Sequence, residues 1–299
     1  MDERIASPSK TIEILQKSGF RFSKKFGQNF LIDLHVLDKI IRAASIEPDD
    51  VCVEIGPGIG SLTQALAEAA KDVFAVEIDE RLIPLLQDNL KEYANVHIVH
   101  NDFLKLDLER LLEDHHIRQP IRVVANLPYY VTTPILMSLL EGPVPVKNIT
   151  IMVQEEVARR MQAGPGTKDY GALSLAVQYY AEAEIMAYVP QNCFIPRPNV
   201  RSAVIRLTVY PEKPVRAENE KLLFQIIRAA FGERRKQLAN SLTDAGVTGL
   251  EKAVIQRVLT EQGLSAQVRG EELTLSQFAA LTDALEKAGA SEQETGGER

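Results

Sequence analysis

The stretch Val51-Cys52-Val53-Glu54-Ile55-Gly56-Pro57-Gly58-Ile59-Gly60 decides the fold of this chain. Its first five residues are mostly apolar and β-branched, which reads as a short buried strand, and the alternating glycines end it. Leu62–Ala70 then carries apolar residues at helical spacing, so the stretch is strand, tight turn, helix. Open α/β sheets are built from that unit, and they bind ligands at its turn. Glycine serves there because the backbone must turn sharply and approach a ligand with no Cβ in the way. A strand–helix turn without a ligand uses the same residues, so other groups must decide whether a ligand is present. The spacing is G-x-G-x-G, unlike the G-x-G-x-x-G of dinucleotide sites, and no Lys-Ser/Thr pair follows as in a phosphate loop. Glu54, just before the glycines, argues against a pyrophosphate and suits a methionine moiety bearing an ammonium group.

The same pattern extends in both directions. Val73–Ile78, Val96–Val99, Arg122–Ala125 and Asn148–Val153 read as further buried strands, with helical spacing over Arg81–Leu90 and Pro134–Leu140 between them. Alternation of β and α predicts right-handed crossovers and a parallel sheet. A helix after Gln154, a glycine-bearing loop over 163–171 and a helix over Ala172–Tyr180 follow. Glu184–Val189 and Ala203–Val209 then lack a helix between them, predicting an antiparallel finish to the sheet. Pro211 and Pro214 read as a linker. Beyond them Asn219–Ala230, Arg234–Ala245, Leu250–Gln262 and Leu275–Lys287 read as helices, and the tail after Ala288 reads as disordered. The expected division is a catalytic α/β domain over residues 1–210 and a small all-helical domain over 211–299.

Two carboxylates strengthen the ligand reading. Glu77 ends the strand after the glycine turn, where it can accept from both hydroxyls of an unphosphorylated ribose. Asp102 follows the next strand, where it can accept from an adenine amine. Helix capping is the competing reading for both, and Asp79 is an equally good cap before Arg81. Recurrence at the C-terminal ends of strands favours the cofactor role, and S-adenosylmethionine is the ligand implied. A second motif, Asn126-Leu127-Pro128-Tyr129-Tyr130, follows the strand Val123-Val124-Ala125. A carboxamide oxygen and a prolyl carbonyl can accept the two hydrogens of an exocyclic amine while an aromatic ring stacks on the base. Tyr130 reads equally as packing or as a substrate contact. Together the two motifs suggest methylation of an adenine amine.

Composition narrows the classes. With 45% apolar and 25% charged residues in 299, the chain is globular with ample core. No apolar run approaches the ~18 residues of a membrane span. Met1–Lys10 is polar, without the apolar stretch of a secretory signal. Cys52 and Cys193 fit neither a disulfide framework nor a zinc cluster, and the five histidines show no metal spacing. No metal is expected, and the cytoplasm is the expected compartment. The net charge of −7 does not advertise a nucleic-acid binder, but its sign is unevenly spread. Lys17, Arg21, Lys24 and Lys25 form one basic cluster, Arg228, Arg234, Arg235 and Lys236 another, and Arg197, Arg201 and Arg206 a third. Any one of them is explained by a solvated face; convergence on one cleft would point to RNA.

These motifs, in this order, resemble the ribosomal RNA adenine N6-dimethyltransferases, most closely the members acting on the small subunit. The resemblance runs from Lys25-Phe26-Gly27-Gln28-Asn29-Phe30-Leu31 through the two motifs above and Phe194-Ile195-Pro196-Arg197-Pro198-Asn199-Val200. It ends at Phe231-Gly232-Glu233-Arg234-Arg235-Lys236-Gln237-Leu238. It implies a class I S-adenosylmethionine-dependent methyltransferase fold, a Rossmann-like, seven-stranded mixed sheet, with the all-helical domain appended. It implies that Asn29, Leu31, Gly56, Gly58, Glu77, Asp102 and Asn126 contact the cofactor. Asn126, Pro128, Tyr129 and Phe194 would act on the base, and Lys24, Lys25, Arg197, Arg234, Arg235 and Lys236 would meet RNA. The implied substrate is two adjacent adenosines in the loop of the 3′-terminal hairpin of 16S rRNA. The implied partner is the immature small ribosomal subunit, bound by a monomer. Adenine-specific DNA enzymes usually carry proline where Leu127 stands, which lowers the DNA reading.

Overall fold

The computed structural model describes residues 4–23, 27–233 and 235–296. They form two compact units, one from the chain up to Ala158 with Ala183–Val209, the other from Arg159–Glu182 with the chain from Tyr210 onward. In chain order the elements are α1 (Pro8–Lys17), β1 (Phe30–Leu31), α2 (Leu34–Ala44), β2 (Val51–Ile55), α3 (Ser61–Ala69), β3 (Asp72–Glu77), α4 (Ile83–Asn89) and β4 (Val96–His100). They continue with α5 (Leu108–Asp114), β5 (Ile121–Asn126), α6 (Thr132–Glu141), β6 (Val146–Gln154), α7 (Glu155–Gln162), α8 (Ala172–Tyr180), β7 (Ala181–Val189), β8 (Phe194–Ile195) and β9 (Ser202–Val209). The last four are α9 (Glu220–Gly232), α10 (Leu238–Asp244), α11 (Lys252–Glu261) and α12 (Leu275–Gly296).

The main sheet has seven strands in the order β4-β3-β2-β5-β6-β9-β7. The first five are parallel, and β9 returns antiparallel to β6. The chain winds outward from β2 through β3 to β4, then crosses to the other side of β2 to lay down β5. A crevice therefore opens between β2 and β5 at the carboxyl ends of the strands. All five residues of β2 are buried, as parallel strands covered on both faces require.

Helix α2 was not expected from the sequence. Asp33 caps it, accepting from the N–H groups of His35 (2.9 Å) and Val36 (3.1 Å). Val36, Leu37, Ile40, Ala43 and Ala44 make its buried stripe, packed with Leu62, Leu66 and Val204. At the end of the sheet away from the crevice, Arg122 is buried in β5. Its Nε donates to Asp50 and its Nη1 to the Ala44 carbonyl at 3.0 Å, closing the C-terminus of α2. Asn148 Nδ2 donates to the same carbonyl at 2.9 Å.

In the second unit α8–α12 enclose their own core of Leu223, Ile226, Leu242, Ile255, Phe278 and Leu281. Residues 159–182, expected in the catalytic domain, belong to this unit. Tyr170, Leu175 and Tyr179 bury in its core, and the Tyr170 hydroxyl donates to the Leu273 carbonyl at 2.8 Å. Two helix limits also differ from expectation. Helix α10 starts at Leu238, where buried side chains begin, because residues 235–237 form a turn in which Lys236 N–H donates to Glu233. Helix α12 continues to Gly296 through the expected disordered tail. Ala288, Ala290, Glu292 and Gln293 favour helix, and extending a formed helix is easy.

Among the described residues no helix is long and apolar enough to cross a membrane. Replacing Arg122 with Ala removes the buried cation from Asp50, which keeps the Glu47 N–H at 2.7 Å and Lys147 at 3.9 Å. The expected loss of stability, read by urea denaturation, is therefore below the ~3–5 kcal/mol of a fully orphaned buried charge. Cofactor affinity should survive, because Arg122 lies at the far end of β5 from the crevice.

Candidate active site

The parallel register brings the functional side chains to one level. Ile55 of β2 pairs with Val76 of β3 and with Ala125 of β5. The next residue on each strand is Gly56, Glu77 and Asn126, so these three leave the sheet in one row. Gly56 extends the ladder by donating to the Val76 carbonyl at 2.9 Å. Its φ is +72° and a Cβ built there meets nothing within 4 Å, so the turn leaves open space in front of its backbone. Gly58 is required twice over. Its φ is +62°, and a Cβ would lie 2.9 Å from Cε1 of Phe30.

These residues line a cleft with about 1200 Å³ of empty space, partly continuous with solvent. Glu77 is 4% exposed, and each carboxylate oxygen holds one loop: Oε2 accepts from Gly58 N–H (3.1 Å) and Oε1 from Asp79 N–H (2.8 Å). Burial pushes its carboxyl upward, and the N–H groups of Asp79 and Gly58 oppose that shift. Glu54 is 1% exposed and its Oε2 has no hydrogen-bond partner. Burial raises its pKa to about 8; the Thr63 hydroxyl pulls it back and Glu77 adds to the rise. Asp102 is half-buried and fulfils the capping reading with one oxygen, accepting from Leu104 N–H at 3.1 Å. Asp79 is a cap as well, and its Oδ2 also accepts from Gln28 Nε2 at 2.8 Å.

On the β5 side, Asn126 Nδ2 donates to the Asn29 carbonyl at 3.0 Å, and Asn29 Nδ2 donates to the Gly27 carbonyl at 3.1 Å. Only the amide nitrogen can donate to a carbonyl, so the orientation of Asn126 is fixed and its Oδ1 is left to accept. Leu31 pairs with Phe194 in the small β1/β8 sheet, which closes one wall. Ten of the expected residues therefore share this cleft: Asn29, Leu31, Gly56, Gly58, Glu77, Asp102, Asn126, Pro128, Tyr129 and Phe194. Tyr130 is 60% exposed beside Gly27 at its edge, which discards the packing reading. Arg197 is exposed and outside the cleft lining, and Arg235 and Lys236 belong to the helical unit. Lys236 is held by Glu233 (3.1 Å) and Asp244 (2.5 Å). Lys24, Lys25 and Arg234 lie outside the described residues. The Gln28–Asp79 bond, the Asn126–Asn29 bond and a Tyr129–Ser202 bond were not foreseen, because no local pattern marks partners 51 to 97 residues apart.

The described cleft residues include three carboxylates and no cation. A phosphate-bearing ligand would be repelled, whereas a cationic, phosphate-free nucleoside fits. Glu54 and the Gly56 turn suit a methionine end, Glu77 suits ribose hydroxyls, and Asp102 with Ile78 and Leu104 suits an adenine. The fold and site define a class I S-adenosylmethionine-dependent methyltransferase.

Comparison with known proteins narrows the class. The sequence profile of the ribosomal RNA adenine dimethylase family matches residues 19–281, and the chain belongs to that family. It is 57% identical to "Ribosomal RNA small subunit methyltransferase A" of Lachnoclostridium phytofermentans over 95% of this chain and 98% of that one. It is 50% identical to the protein of the same name in Geobacillus sp., over 96% and 99%. Among solved structures, a dimethyladenosine transferase from Plasmodium falciparum shares the fold, with TM-score 0.71 and 24% identity over 87% of this chain and 98% of that one. The 23S rRNA methyltransferase ErmE matches with TM-score 0.67 and 26% identity, over 86% and 99%. The protein is an S-adenosylmethionine-dependent rRNA adenine dimethyltransferase.

Glu77→Ala should weaken cofactor binding about tenfold to a hundredfold, the worth of hydrogen bonds to a charged group, as measured by calorimetry. The raised pKa of Glu54 stabilises the ligand-free fold below its ordinary value of 4.5, and that contribution is lost as pH rises toward about 8. In Glu54→Gln the fall in melting temperature between pH 5 and 8 should shrink; an unchanged pH profile would refute this ionisation.

Proposed function

We propose that the protein dimethylates the N6 amines of two adjacent adenosines in the loop of the 3′-terminal hairpin of 16S rRNA. It does so as a monomer in the cytoplasm, late in assembly of the small ribosomal subunit. The observation that carries the chemistry is the Asn126 carboxamide, held at 3.0 Å on the Asn29 carbonyl with Oδ1 left as an acceptor. Identities of 49–57% to relatives named for the small subunit, against 26% to ErmE, support that target over large-subunit RNA.

The co-substrate, when bound, supplies an electrophilic methyl group on a sulfonium centre. The chain's own residues do the rest. An adenine amine is a poor nucleophile because its lone pair is delocalised into the ring. Asn126 Oδ1 and the Pro128 carbonyl accept its two hydrogens and draw them out of the ring plane, so the nitrogen gains tetrahedral character. The Pro128 carbonyl already accepts from Val131 N–H (3.2 Å) and, weakly, from the Thr132 hydroxyl (3.4 Å). The weaker Thr132 contact gives way to the amine. Tyr129 stacks on the base, an interaction worth about 1–3 kcal/mol, with Phe194 as the opposite wall. No strong base is needed, because the methylated amine is acidic and loses its proton after attack. Positioning of the two reactants supplies most of the acceleration. A monomethylated amine keeps one hydrogen for a second round. The target base leaves its stack for a few kcal/mol, least in a loop.

Asn126→Ala should abolish methyl transfer to small subunits while cofactor binding remains measurable; wild-type turnover in a radiolabelled methyl assay would remove this residue from the mechanism. Mapping N6,N6-dimethyladenosine in rRNA of a null strain tests the target. Comparing subunit maturation in that strain with the Asn126→Ala strain separates assembly from catalysis. On the RNA side, Arg197 and Arg235 are exposed, and Lys24, Lys25 and Arg234 join them by sequence. Arg197→Ala and Arg235→Ala should each lower the slope of log affinity against log salt by about 1. Lys236→Ala should do less, since two carboxylates already hold it.

A further inference from the structure

Tyr129 is fixed at both ends. Its backbone follows Leu127, which is buried and donates its N–H to the Met152 carbonyl at 3.3 Å, and Pro128, whose carbonyl turns back onto the start of α6. At the other end, the Tyr129 hydroxyl lies 3.0 Å from Oγ of Ser202. Ser202 is 1% exposed and opens β9, paired in the antiparallel ladder with Gln154. The residue before it, Arg201, accepts the Glu155 N–H at 3.0 Å and pairs through its side chain with Glu155 at 3.3 Å. The hydroxyl that meets Tyr129 thus stands on backbone that cannot shift without breaking the end of a sheet.

We infer that Ser202 is a positioning residue for the reaction: its hydroxyl tethers the tip of Tyr129 and holds the ring as a ready platform for the target adenine. The inference rests on the reading of Tyr129 as the stacking residue. A tyrosine ring has two free torsions, and a hydrogen bond at its far end removes the freedom that base binding would otherwise have to freeze. Ser202 acts through Tyr129 and touches neither base nor cofactor. Its removal therefore acts on the RNA side of the reaction and leaves the cofactor side alone.

The test is a double-mutant cycle on the full-length enzyme with small ribosomal subunits as substrate. Ser202→Ala and Tyr129→Phe should each raise KM for the subunit about three- to tenfold, the range of one neutral hydrogen bond, with cofactor affinity by calorimetry unchanged. The double variant should lose no more than either single one, because both remove the same bond. Additive losses, or an unchanged KM in either variant, would overturn the tether. If Ser202→Ala does not fold, Tyr129→Phe alone decides, since it removes the bond from the half-buried side. Tyr129→Ala distinguishes the underlying reading. Weak RNA binding in Tyr129→Ala with normal behaviour in the other two leaves the platform and discards the tether, whereas normal binding in Tyr129→Ala discards both.

Discussion

The register of three parallel strands is the constraint on which the site depends. Ile55 lies opposite Val76 on one side and Ala125 on the other, so Gly56, Glu77 and Asn126 emerge side by side. Side chains alternate faces along a strand, and a slip of one residue on β3 or β5 would carry Glu77 or Asn126 to the wrong face. The slip is prevented by burial: β2 has no exposed residue, and most of β3 and β5 is equally buried. Each buried Val, Ile or Phe side chain among them contributes about 1.5–3 kcal/mol, and a shifted register would lose several of those contacts together. The core is in this sense what aligns the chemistry.

Charge then selects the ligand. An interior carboxylate with an unpartnered oxygen is expensive unless it is protonated or faces a cation. Glu54 is such a group, and its neighbour Glu77 makes ionisation harder. Glu77 itself is stabilised differently, by one N–H from each of two loops, so it both organises the cleft and retains lone pairs for a ligand. A cleft with this balance welcomes a positively charged nucleoside and repels a nucleotide. The family to which the chain belongs uses S-adenosylmethionine, and the electrostatics give the physical reason.

On the proposed reading, the substrate side is a loop whose groups are mostly committed already. Asn126 spends its nitrogen on Asn29, Pro128 spends its carbonyl on the first turn of α6, and Tyr129 meets Ser202. Such commitments hold a reactive geometry before substrate arrives, so less order must be imposed on binding. They also link the N-terminal segment, the parallel strands and the antiparallel strand β9 through a single five-residue motif.

How much of this was legible in the chain follows from the range of the interactions. The strand–turn–helix at Val51–Ala69, the alternation of later elements, the glycine turn and the motif at residues 126–130 are written in neighbouring residues. Periodicity and turn chemistry are local properties, so the sequence by itself determined the α/β class, the glycine turn and most of the cleft's side chains. Local pattern also misled. Residues 159–182 look like a continuation of the first unit yet bury Tyr170 and Tyr179 in the helical one, and polar residues after Ala288 extend a helix. Only the tertiary structure decided that Asn126 leans on Asn29 and that Tyr129 meets Ser202. Those partners lie 97 and 73 residues apart, and their meeting is set by strand order and register, which a linear pattern does not encode.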